Sequence, residues 1–131
     1  MHNLIYATLG VPGESEPDTL LLAESLRSVG AELASNPLWV LVPEDLGSLS
    51  DATLKKLAQL DATVIPLEVD PGLLKFPFAA KVAAAAAVEA QALGQTERLV
   101  YMDRDTIVLG EPAEFLISTG ISLGYRPVHH Q

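Results

Sequence analysis

Asp103 and Asp105 stand one residue apart in a stretch that otherwise reads as a buried strand. Leu99 to Met102 lead into them, and Ile107 to Leu109 resume the apolar run. Carboxylates that interrupt such a run must be hydrated, paired or bound to a cation, because burying them bare is very costly. In an extended segment, residues i and i+2 face the same way. If the chain stays extended here, both carboxylates converge on one cation. The competing reading is a solvated turn between two short strands, with the aspartates as turn formers. Position favours the first, since open α/β sheets bind ligands at the carboxyl ends of their strands.

Two other places carry candidate chemistry. Thr8 and the Gly10–Gly13 turn form the first strand-to-helix connection, a frequent ligand position. Gly10-Val11-Pro12-Gly13 is neither a phosphate-cradling loop nor a dinucleotide fingerprint, so its own reading is an ordinary turn. Lys81 lies near the start of a helix, where the dipole disfavours a cation. A neighbouring anion such as a diphosphate would reverse that penalty; the plain alternative is a charge that simply reaches water.

The elements that position these residues follow from periodicity and punctuation. Asn3 to Leu9 reads as a strand whose near-continuous apolarity suits a sheet covered on both faces. Ser15, Pro17 and Asp18 form a helix-start signature, and Leu22, Leu26, Val29 and Leu33 continue it as one stripe that Asn36-Pro37 ends. Leu38 to Val42 is a second strand. Ser50 caps the next helix, with Leu49 and Leu54 as a hydrophobic staple, and that helix runs to about Leu60. Ala62 to Leu67 is a third strand, which Pro66 places at an edge or at its end. Phe78 to Leu93 is a long helix with five consecutive alanines, stopped by Gly94. Arg98 to Met102 is a fourth strand. Ile107 to Leu109 reads as a short return segment, and the chain then turns into Ala113 to Ile117. The tail from Ile121 to Gln131 has no assignment. This β-α-β-α-β-α-β order predicts a single α/β domain over residues 1–131, Rossmann-like, with an open, mostly parallel sheet and flanking helices.

Composition bounds the function. With 131 residues, 49% hydrophobic and 19% charged, the chain is long enough for a core and too apolar for a disordered segment. No apolar run is long enough to span a bilayer, and the N-terminus lacks a signal-peptide pattern. The absence of cysteine excludes disulfides and thiolate metal sites, in keeping with a cytoplasmic protein. The net charge of −9, without basic clusters, argues against a nucleic-acid surface. An acidic chain that takes a phosphorylated ligand needs a divalent cation between carboxylates and phosphates, which favours the metal reading of the Asp pair.

Leu99 to Pro112, with Asp103-Arg104-Asp105 at its centre, resembles the strand–D-x-D–strand segment of nucleotide-diphospho-sugar transferases, glycosyltransferases of the A-type fold in the glycogenin-like and bacterial galactosyltransferase-like branch. The resemblance implies Mn or Mg held by Asp103 and Asp105, with Asp105 the stronger ligand and Asp103 near the ribose as well. It implies that Ala7 and Thr8 edge the nucleotide base and that Lys81 approaches the nucleotide sugar. It also implies His129 or His130 as a distant metal ligand, although adjacent residues rarely both face one ion and a terminal tail explains them as well. A complete transferase of this type has a second half that builds the acceptor site. Only the nucleotide-sugar-binding half is recognisable here, so a truncated chain, a broken frame and a small binding relative all stay open. The implied partner is a nucleotide-diphospho-sugar; the acceptor is unidentified.

Two other classes compete. A haloacid-dehalogenase-like phosphatase also places Asp-x-Asp after a strand, the first as nucleophile and the second as acid–base. That motif usually continues with Gly and sits at the first strand, whereas Thr106 follows Asp105 at the fourth. A noncatalytic α/β module is the other, with the apolar fraction and Ala-rich helix leaving room for a homo-oligomer.

Overall fold

A computed structural model describes residues 4–118, 120 and 121. Its sheet has four parallel strands in the order β3-β2-β1-β4. They are β1 (Ile5–Leu9), β2 (Leu38–Pro43), β3 (Ala62–Leu67) and β4 (Leu99–Tyr101). Three α-helices connect them: α1 (Glu16–Val29), α2 (Asp51–Gln59) and α3 (Pro77–Ala92). The fold is thus the open Rossmann-like α/β sheet expected from the element order.

Both faces of the sheet are covered, which explains why β1 and β2 read as nearly continuous apolar runs. On one face Leu4, Tyr6, Leu38, Val40 and Val42 meet Leu22 and Leu26 of α1 and Leu57 of α2. On the other, Ile5, Ala7, Trp39 and Leu41 meet Ala80, Ala84, Val88 and Ala92 of α3. Small residues at every fourth position let α3 lie close to the sheet. Its outer face leaves Phe78 and Val82 exposed, and Leu93 is exposed just past its end. Gly94 follows in the left-handed region at φ +79°, the stop expected there.

Helices α1 and α2 share one face and α3 takes the other, so the chain changes faces after β3 and enters β4 on the far side of β1. The topological switch point, where such sheets bind ligands, therefore lies between β1 and β4. Their ladder pairs Ile5 with Leu99 and Ala7 with Tyr101. It is extended by Ile5 N–H to the Arg98 carbonyl at 3.0 Å and Met102 N–H to the Ala7 carbonyl at 2.9 Å. Strand β3 is an edge, one of the two positions that Pro66 allowed.

Several local expectations are corrected. Ser15 precedes α1 but does not cap it through its side chain, which instead donates to the Val11 carbonyl at 3.2 Å. The Asp18 N–H that such a cap would bind goes to the Ser15 backbone carbonyl at 3.1 Å, while the Glu16 carboxylate accepts from Gly13 N–H in the preceding loop at 2.8 Å. Val29 is exposed, while Leu33 reaches the core from a short 3-10 helix after α1. Ser50 does cap α2, accepting from Thr53 N–H at 3.3 Å. Ile107 to Leu109 form no strand: Val108 alone turns inward, and Ile107 and Leu109 point to solvent. Ala113 to Phe115 make a single 3-10 turn. His129 and His130 lie outside the described residues, as does the tail from residue 122.

Arg27, in the last turn of α1, ties three segments together. Its guanidinium donates to the carbonyls of Leu60 at 2.7 Å, Asn36 at 2.7 Å, Asp61 at 3.0 Å and, in a short contact, Ala34. Burial lowers its pKa, with the Asp61 charge opposing that shift.

Candidate functional site

At the switch point, Asp103, Arg104 and Asp105 leave β4 with Lys81 of α3 and Asp18 of α1 and line a pocket of about 100 Å³. Three carboxylates and two cationic side chains thus meet where sheet topology places a ligand. The carboxylates do not sit on an extended strand. Asp103 to Thr106 form a turn closed by Thr106 N–H donating to the Asp103 carbonyl at 3.0 Å. The expectation that the pair lies along an extended segment is therefore corrected, and the turn itself brings both to one pocket. Its ends are fixed. Met102 and Val108 are buried in the core under α1, and Val108 N–H donates to Ser25 Oγ at 2.9 Å. A turn held on both sides keeps Asp103 and Asp105 in place without their own side chains doing so.

Lys81 Nζ lies 3.1 Å from Asp103 Oδ1, and 5.7 Å from the centroid of the Phe78 ring. Both partners of the ion pair are partly open, with 33% and 47% of their side chains exposed, so water competes for it. Asp18 belongs to the first turn of α1, where the helix dipole favours a carboxylate.

The pocket suits a small charged group and is too small for a whole nucleotide sugar, since ligand clefts commonly run to several hundred Å³. A larger hollow of about 270 Å³, bounded by Val42, Leu49, Leu54, Val64 and Pro66, carries Glu44 as its one ionisable side chain. The smaller pocket has the chemistry. Among the described residues no three His, Asp or Glu side chains group closely enough to hold an ion by themselves. Asp103 and Asp105 are oxygen donors present that could hold a hard cation of the Mg or Mn type, which typically takes one or two carboxylates and completes its shell from phosphates and water.

The other expected site residues are placed differently. Ala7 and Thr8 are fully buried, Ala7 in the core beneath α3. Neither side chain reaches the pocket surface in this arrangement. The hydroxyls of Thr8, Thr19 and Tyr101 are buried without a hydrogen-bond partner among the described residues. Burial pushes the Tyr101 phenol up to about 12; the Asp103 charge adds to this and Arg104 opposes it. Tyr101 therefore stays neutral beside the pocket at ordinary pH.

Sequence reasoning missed Asp18 and Arg104 as pocket residues. Asp18 is visible in the sequence only as a helix-start acid. The signal that marks it is its place just after the first strand, combined with a strand order that the sequence does not spell out.

A family model described as a Rhodobacterales glycosyltransferase domain matches residues 7–122. The chain belongs to that family. No curated protein matches the chain closely enough to add a narrower assignment. The match runs from β1 through β4, so every pocket residue of this glycosyltransferase domain lies inside it, while His129 and His130 lie outside. Among the described residues of the domain, no helix is long and apolar enough to cross a membrane.

Proposed function

We propose that this glycosyltransferase domain binds the diphosphate end of a nucleotide sugar at the Asp18–Lys81–Asp103–Asp105 pocket, together with a divalent cation. The observation that carries this reading is the convergence of Asp103 and Asp105 with Lys81 at the switch point between β1 and β4. Asp103 and Asp105 supply the oxygens for Mg or Mn. When bound, such an ion offsets the charge that develops on a departing diphosphate. Lys81 and Arg104 are the cationic groups that face phosphate oxygens, in a chain whose overall charge of −9 would otherwise repel them. Asp18 adds acidic charge on the α1 side of the same pocket.

The nucleoside and sugar extend outward from the pocket, since its volume takes little beyond the charged group. A dehalogenase-like phosphatase has less support, because the motif follows β4 and the family is one of glycosyltransferases. Calorimetric titration with uridine- and guanosine-diphosphate sugars in the presence of Mn tests the proposal. Saturable heat is expected in the unaltered protein and at least a roughly tenfold loss of affinity in Asp105→Ala, the scale of one charge-assisted contact. Absence of binding to either donor with any divalent ion defeats it.

A further inference from the structure

We infer that Lys81 is an internal counter-ion that competes with the divalent cation for Asp103, and that exchange of the two couples cation binding to phosphate binding. This rests on the proposed metal and diphosphate reading of the pocket. The geometry is direct: an ammonium 3.1 Å from Asp103 Oδ1 occupies one of the two oxygens that Asp103 can offer a metal. A divalent ion and an ammonium on one carboxylate repel each other across a few ångströms, so the ion binds Asp103 more tightly once Lys81 has moved off. Arrival of the ion therefore favours a Lys81 that has swung away.

Three features make that exchange easy. The pair is half-open to water, so breaking it costs little. Lysine carries its charge on a flexible stem with freely turning donors. The Phe78 ring, 5.7 Å from Nζ on the same helix, already faces the ammonium and does not depend on Asp103. The released ammonium remains in a pocket where an anion can take over from Asp103. Phosphate thus stabilises the displaced position of Lys81, and the metal stabilises it from the other side. Each ligand favours the state that the other needs, which is positive coupling between two sites in a single pocket.

An ordinary phosphate-binding lysine and a competing one predict opposite signs for one measurement. Mn alone, without nucleotide, is titrated into the unaltered protein, Lys81→Met and Lys81→Arg by calorimetry or by the loss of free-ion paramagnetic signal. Lys81→Met is expected to tighten Mn binding by about twofold to fivefold, the range that corresponds to an exposed ion pair. Lys81→Arg keeps the charge and should stay near the original affinity. At saturating Mn, Lys81→Met should instead weaken binding of uridine or guanosine diphosphate. Mn affinity that is unchanged or weaker in Lys81→Met overturns the inference while leaving the functional proposal standing. If Mn binds nowhere but a nucleotide sugar still binds, the competition is also overturned and only the nucleotide part of the proposal survives. If Lys81→Met tightens Mn and no nucleotide binds, the competition for the cation holds while the coupling and the functional proposal both fail.

Discussion

Glu16 is the carboxylate whose removal should be felt most widely. Its Oε2 accepts from Gly13 N–H at 2.8 Å, and its Oε1 accepts from Ser50 N–H at 2.9 Å and Ser50 Oγ–H at 2.8 Å. One side chain thus joins the first turn of α1, the loop before it and the cap of α2. Those contacts hold its pKa down to about 2, with the Gly13 bond contributing most, followed by Thr53 and the Ser50 backbone. Hydrogen bonds to a charged group contribute about 1.5–3 kcal/mol each at best. The side chain is largely buried, and the cost is that of losing three bonds to one charged acceptor less what the freed donors regain from water, so Glu16→Ala is expected to cost about 2 kcal/mol in total. For a domain of this size that lowers the melting temperature by roughly 6–10 °C. The sign with pH follows from a depressed carboxyl: its stabilisation is complete above the unfolded-state pKa near 4.5 and fades as pH falls toward about 2. Urea unfolding of both proteins at pH 7 and at steps down to pH 3 measures the gap between them. The gap should narrow below about pH 4.5. A gap independent of pH, or smaller than about 0.5 kcal/mol at pH 7, refutes the assignment.

Arg27→Met should destabilise by about 2–4 kcal/mol in urea unfolding at neutral pH, because four carbonyls lose a charged donor. Arg27→Lys should recover only part of that, since one ammonium cannot span the same fork; full recovery would show that charge alone matters. Gly10→Ala places a methyl 2.7 Å from Val40 Cγ1, beside the end of β1. A loss of about 1–3 kcal/mol is expected from such overpacking, read as a fall in thermal midpoint; an unchanged midpoint would mean that Val40 yields freely.

The legible parts of the fold are those that one physical cause dictates. Ile5 to Leu9 and Leu38 to Pro43 are apolar but for Thr8 because helices cover both faces, and Pro66, which lacks a donor, fits the edge strand β3. The existence of α3 is legible from its alanines, but its sheet-facing side, Ala80, Ala84, Val88 and Ala92, is not, because alanines lie all round the helix. The pocket is only partly legible. Asp103 and Asp105 announce themselves by interrupting apolar residues, yet their turn depends on Val108 bonding Ser25, residues far apart in the chain. No local pattern carries that information. Asp18 joins the pocket only once β4 lies beside β1. The expected Ser15 cap fails for a different reason: the Asp18 N–H it would have bound goes to the Ser15 backbone carbonyl, and the hydroxyl donates to the Val11 carbonyl instead.

The pairing of Ile5 with Leu99 joins residues from nearly opposite ends of the described chain. Closing so long a loop has a high entropic cost, and contacts of this kind generally form late in folding. The other strand pairs, β1 with β2 and β2 with β3, bring together segments much closer in sequence. The pocket therefore depends on the strand pairing of greatest sequence separation, and β4, with only three residues, has little ladder to hold it. A ligand that bridges Asp103 and Lys81 fastens the loop after β4 to α3. Occupancy should then appear first as slower amide exchange at Ile5 and Met102, before any change is seen in the melting of the rest of the sheet.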